Sequence, residues 1–166
     1  HIKSPLSNTL KGSAITINDF DNTLITHSNN VSLSAGFRIK KSNLANKIMK
    51  SQHEAFASWE IEENDYKLLG LDPSLYIALW HEKQMLLDNK WQLSPIPRGF
   101  SGGAIINVVA YPGHKEIMYK QVLTGIITEH RKKTKDIEGV LLGTRINVHM
   151  NLLKHFMPEL FDVESN

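Results

Sequence analysis

The run Gly99-Phe100-Ser101-Gly102-Gly103 sets one serine hydroxyl among glycines, directly before the apolar residues Ala104-Ile105-Ile106. A serine held on a tight turn presents its Oγ outward. Glycines on either side let the backbone take angles closed to residues with a Cβ and lie close against a bound group. In such a turn the N–H groups of Gly99 and Ser101 can converge on one spot. Donors about 2.7–3.1 Å from an oxygen that gains negative charge each contribute roughly 3–4 kcal/mol to a transition state. Ser101 is therefore a candidate nucleophile and Gly99 a candidate donor for acyl transfer. The same five residues also read as a glycine-rich β-turn with a solvated serine, and by themselves they do not separate the two.

More of the chain bears on that choice. From Gly99 onward the sequence resembles the C-terminal barrel of trypsin-like serine proteases. Gly99 to Ile105 looks like the nucleophile turn and strand of that family. Leu123-Thr124-Gly125-Ile126-Ile127-Thr128 is similar to its later strand of pattern LxGIxS, which lines the substrate cleft. Gly143-Thr144-Arg145-Ile146 resembles its last strand, of TKV or TRV type, and Asn147 to Phe156 its closing helix. The resemblance implies a mostly β, trimmed double β-barrel with a C-terminal helix, divided into an N-terminal barrel (1–80) and a C-terminal barrel and helix (81–166). It further implies peptide-bond hydrolysis through an acyl-enzyme at Ser101. Gly99 and Ser101 would form the oxyanion hole, with Thr128 and Glu129 in the substrate cleft and a peptide or protein as the substrate. Family members need no cofactor and no metal.

The earlier half fits less closely. Gly12 to Ile17 and Thr23 to Thr26 read as two strands joined by the turn Asn18–Asn22, since Asn and Asp bond their own backbone and tolerate left-handed angles. In the family a strand such as LITNxH carries the catalytic base. Leu24-Ile25-Thr26-His27-Ser28-Asn29-Asn30 matches it except that, aligned without a gap, Asn29 stands at the base position. Asparagine takes up no proton near neutral pH and cannot activate a serine. A local shortening by two residues brings His27 there instead. The family's orienting aspartate has Tyr76 in its place, and Asp72 is the nearest carboxylate, followed by Asp65. Asp72 before Pro73 is equally a turn former. Two functions follow: a serine endopeptidase using Ser101, His27 and Asp72, or a catalytically dead relative kept as a peptide-binding or regulatory module.

A rival pattern overlaps the first hairpin. Asn18-Asp19-Phe20-Asp21-Asn22-Thr23 resembles the DxDxT signature of haloacid-dehalogenase-type phosphatases, in which the aspartates act on phosphorus with Mg²⁺. That fold alternates strands with helices, whereas the C-terminal half here reads as strands.

These residues need elements to hold them. At 166 residues the chain can bury a core. A net charge of +2 with 22% charged residues leaves no nucleic-acid footprint, and the cluster Arg131-Lys132-Lys133-Thr134-Lys135 reads as a solvated loop. With no cysteine there is neither a disulfide nor a thiol nucleophile, which is compatible with a reducing cytoplasmic location. No run of 18 apolar residues suggests a membrane span. Leu75 to Trp80 reads as a buried strand, Glu60 to Asp65 as a loop or exposed edge, and Gln52 to Trp59 follows neither period. The resemblance to the trypsin-like family implies a pocket for one substrate side chain, with walls at Leu93–Ile96 and Leu141–Gly143. With no acidic residue in either wall, a small or apolar substrate side chain is expected there. His81, His114, His130, His149 and His155 read as scattered, without metal-ligand spacing.

Overall fold

Three consecutive residues, Ile77, Ala78 and Leu79, are fully buried. Side chains alternate along a strand, so both faces of this one must be covered. The computed structural model describes residues 31–39, 51–82, 84–87, 89–94, 97–112 and 117–161, and its elements show how. In chain order they are β1 (Val31–Ile39), β2 (Ser51–Trp59), α1 (Glu63–Leu69), β3 (Tyr76–Trp80), β4 (Gln84–Leu87), β5 (Lys90–Leu93), β6 (Ala104–Pro112), β7 (Ile117–Arg131), β8 (Val140–Arg145) and α2 (Ile146–Phe156), followed by a 3₁₀ turn at Pro158–Leu160. Six strands form one antiparallel sheet in the order β2-β1-β6-β7-β8-β3, and β4 and β5 pair separately as a hairpin. The sheet curls: beyond β2, Glu60 bridges to Leu79 of β3, and Ile61 N–H donates to Ala78 C=O at 2.9 Å. Its two edge strands thus meet at one end, in the manner of a half-barrel.

The inner face of the curled sheet holds Ile77, Leu79, Phe100, Ile105, Ile127 and Leu141, with Phe56 packed against them. On β1 the matching positions are small, Ser32, Ser34 and Gly36, all buried. Ser32 Oγ donates to Asn107 Oδ1 at 2.6 Å and Ser34 Oγ to Phe56 C=O at 3.3 Å, so these hydroxyls are satisfied inside. Outside β3 and β8, Ala78, Val140 and Leu142 pack with Ile61 and Tyr66 of α1. A third cluster, Leu123 with Ile146 and Met150 of α2, covers the outer side of β7 and β6. The cover that Ile61 and α1 provide explains why β3 and β8 are apolar on both faces.

The helix α1 replaces the loop expected at Glu60–Asp65. Asp65 accepts from the Glu62 N–H at 3.3 Å, satisfying a donor at the helix start, and Gly70 closes the other end in the left-handed region at φ 65°. Its Tyr66 hydroxyl receives Ala78 N–H at 2.8 Å and donates to Glu60 Oε1 at 2.7 Å. Burial first, then the Glu60 carboxylate, pushes that phenol well above its usual range. Arg145 completes the group by pairing with Glu60 and donating from Nε to Pro73 C=O at 2.5 Å.

Two further expectations change. Gln52–Trp59, which follows neither period, lies within β2, whose exposed residues Ala55, Ala57 and Trp59 alternate with half-buried Phe56 and Ser58. The division at residue 80 does not separate two barrels among the described residues, because β1, β2 and β3 lie in the same sheet as β6, β7 and β8. Sequence distance misleads here: β3 pairs with β8 from Tyr76↔Thr144 to Trp80↔Val140, across the whole second half of the chain. The hairpin read at Gly12–Val31 lies outside the described residues save for Val31, the first residue of β1.

Candidate functional site

Ser101 stands exposed on a turn between Pro97 and β6, with Gly99 at φ 93° and Gly102 at φ 84°. Both angles lie in the region that favours glycine. Between them Phe100 is 1% exposed and anchors the turn in the inner core. Its ring lies 5.3 Å from that of Phe56. Phe100 N–H donates to Pro97 C=O at 3.2 Å, and Gly103 N–H to Phe100 C=O at 2.7 Å. Two more bonds tie the turn to β7: Gly102 N–H to Ile127 C=O and Ile127 N–H to Gly103 C=O, each 2.8 Å. A Cβ on Gly103 would lie 2.3 Å from Ala35 C=O, so only glycine fits this close approach of the turn to β1. The N–H groups of Gly99 and Ser101, by contrast, donate to no described residue, and Ser101 Oγ makes no hydrogen bond to one. An exposed hydroxyl and two amides that bond to no described residue thus sit on a turn that is fixed at both ends.

Beside the turn lies a cleft of about 220 Å³. Ser94 and Pro97 form one wall, His130, Lys132 and Lys133 the next, and Glu138, Gly139 and His81 close it. The walls belong to the framework already described. His130 follows Ile127 on β7, and His81 N–H, just past β3, donates to Gly139 C=O at 2.8 Å. The His81 and His130 rings meet edge to face at 4.9 Å, and Phe56 contacts His81 at 6.0 Å. A row of rings, Phe100, Phe56, His81 and His130, therefore runs from beneath the serine turn to the cleft. Burial lowers the pKa of both imidazoles below the ordinary histidine value, with a further push from His130 on His81 and from Lys132 on His130. Lys133 is paired with Glu138.

The other expected site residues fall as follows. Thr128 is exposed, its Oγ1 donating to Leu142 C=O at 3.1 Å, at an irregularity of the β7–β8 ladder between Ile127 and Glu129. Glu129 is exposed and paired with Arg131. Asp72 is fully exposed in a turn where its Oδ1 receives both Ser74 N–H at 2.8 Å and Ser74 Oγ at 2.7 Å, and the Ser74 hydroxyl chiefly holds its carboxyl below the usual range. No described histidine bonds to it. It precedes β3, whereas His81 follows it, so the strand's five residues, about 17 Å at ~3.3 Å each, separate the two ends. His27, Asn29 and the Asp19–Asp21 pattern lie outside the described residues. Asp65, the more remote carboxylate, caps α1. The described lining of this cleft includes Glu138 and Gly139 and none of Leu141–Gly143, the residues expected to form a pocket wall; Leu141 and Leu142 are buried in the inner and outer cores.

His81 and His130 were legible only as isolated histidines. What brings them together is the pairing of β3 and β7 on either side of β8, where Leu141 faces both Leu79 and His130. The one sequence signal was position: His81 directly follows the apolar run Leu75–Trp80, and His130 lies two residues past the strand read at Leu123–Thr128. Among the described residues no group of three metal-ligating side chains occurs. Comparisons of the chain with family models, with curated proteins and with solved structures return no match.

Proposed function

We propose that the chain is a serine endopeptidase of trypsin-like type, with Ser101 as its nucleophile. The observation that carries this is the fixed turn with an exposed Ser101 hydroxyl and with Gly99 and Ser101 N–H groups that donate to no described residue. Both amides are interior positions of the tight turns that the Phe100 and Gly103 N–H bonds close, so the turns themselves use neither, and four neighbouring backbone bonds hold the chain around them. Support also comes from the order of elements: turn, β6, β7, β8 and α2 follow one another as in the resembling family, and the first three strands are adjacent in the sheet.

On this reading Ser101 Oγ attacks the carbonyl carbon of the peptide as its proton passes to a base. The oxygen that gains charge is held by Gly99 and Ser101 N–H, donors worth roughly 3–4 kcal/mol each. The base returns the proton to the departing amine, and water then resolves the acyl-enzyme by the reverse steps. His27 is the proposed base. Asp72, engaged by Ser74, orients it only if it leaves that turn.

A second reading, a peptide-binding module without hydrolysis, is favoured by one fact: no described histidine or carboxylate bonds to Ser101. Labelling with a fluorophosphonate probe separates the two. Label on the native protein that disappears in Ser101→Ala and His27→Ala is the expected result. A folded native protein that takes no label would overturn hydrolysis in favour of binding alone.

A further inference from the structure

We infer that the cleft beside the serine turn is a specificity pocket for an acidic side chain, glutamate foremost, on the acyl side of the bond presented to Ser101. The inference deepens the proposed function and rests on Ser101 being the residue that the substrate addresses.

Position comes first. Pro97, on one wall, accepts the hydrogen bond that starts the serine turn, and His130, on another, lies three residues beyond Ile127, which is bonded twice to that turn. A chain laid along β7 with its carbonyl at Ser101 therefore has this cleft as the adjoining space for a side chain.

Chemistry decides what fits. The lining is rich in donors: two imidazoles, the Ser94 hydroxyl and two ammonium groups. Neither imidazole is hydrogen-bonded to a described residue. The sole carboxylate among the described lining residues, Glu138, is taken by Lys133. Lys132 has no ion pair among the described residues and stands close enough to His130 to depress its protonation. The described walls thus carry one positive charge in excess. A carboxylate entering here balances Lys132 and accepts from an imidazole N–H, giving the short charge-assisted bonds that are the strong ones. A lysine or arginine side chain would meet like charge, and an apolar one would strip water from donors and leave them unpaired. A carboxamide could accept from the imidazoles but would leave Lys132 unbalanced, so glutamine ranks below glutamate. The small or apolar preference expected from sequence assumed walls at Leu141–Gly143, and those residues lie in the cores.

The test is a titration of the full chain carrying Ser101→Ala with four acetylated tetrapeptides, alike except for a last residue of Glu, Gln, Phe or Lys. The expected result is that the Glu peptide binds at least about tenfold tighter than the Phe and Lys peptides and several-fold tighter than the Gln peptide. Lys132→Gln, at an exposed loop position, should bring the Glu peptide down to the level of the Gln peptide without weakening the Phe peptide, and His130→Asn should weaken Glu and Gln together. Phe or Lys binding as tightly as Glu, a Glu preference indifferent to both substitutions, or no binding at millimolar peptide would each overturn the pocket. Fluorophosphonate labelling of the native chain reports separately: lost labelling with a kept Glu preference overturns hydrolysis alone, and labelling without that preference overturns the pocket alone.

Discussion

The glycine pair after Ser101 offers a comparison in which chemically identical substitutions should differ sharply. At Gly102 an added Cβ meets nothing within 4 Å, so Gly102→Ala suffers only from the left-handed backbone at φ 84°. That conformation costs a residue with a Cβ roughly 1–2 kcal/mol. At Gly103 no positive φ is involved, but the Cβ would lie 2.3 Å from Ala35 C=O and 2.8 Å from Phe100 C=O, both backbone atoms that cannot swing aside. Relief requires the turn to withdraw from β1. Withdrawal strains the bonds Gly103 N–H to Phe100 C=O, Ile127 N–H to Gly103 C=O and Gly102 N–H to Ile127 C=O. Three backbone bonds at about 0.5–1.5 kcal/mol each, with some loss of Phe100 packing, put Gly103→Ala at about 3–5 kcal/mol. Urea unfolding followed by tryptophan fluorescence measures both. Gly103→Ala should lower the midpoint at unchanged slope by at least twice as much as Gly102→Ala, and fluorophosphonate labelling should fall with it. A Gly103→Ala protein within about 1 kcal/mol of the native one would refute the account of the turn as wedged against β1.

Ser101→Ala should leave the unfolding midpoint within about 0.5 kcal/mol of native, since the side chain is exposed and bonds to no described residue, while abolishing labelling; circular dichroism and urea melts check the first part. Arg145→Met should destabilise by about 3–5 kcal/mol, because it strands Glu60, whose side chain is only 7% exposed. Tyr66→Phe, which orphans the buried Ala78 N–H, should cost about 1–3 kcal/mol in the same assay. Stability should also depend on pH through His81 and His130. Both have a folded pKa below the unfolded value of about 6.5, so the unfolded chain binds more protons in the interval between. Their contribution is therefore complete above about pH 6.5 and is lost as pH falls toward the folded values. Urea midpoints between pH 7.5 and 5 should show this slope, and His81→Gln with His130→Gln should flatten it.

Local chemistry was readable wherever a short run of residues dictates its own conformation. Gly99 and Gly102 announced the serine turn because their backbone angles favour glycine, and Leu75–Trp80 announced a strand by its apolar, β-favouring run. The closing helix, expected at Asn147–Phe156 from the family resemblance and not from a local pattern, is observed from Ile146 to Phe156. The loop expected at Glu60–Asp65 failed for the opposite reason: α1 is short and polar along most of its length, and what holds it is Tyr66 buried against Ala78 and Glu60, partners that pattern alone does not reveal. The sequence by itself determined the serine turn, the strand at Leu75–Trp80, and that one serine stands among glycines. Only the tertiary structure decided that the strands of both halves join one curled sheet, that Leu141 and Leu142 leave the pocket for the cores, and that His81 and His130, 49 positions apart in the chain, meet across β8. Strand pairing is a long-range choice, made by the summed burial of every face at once, and no stretch of a few residues contains it.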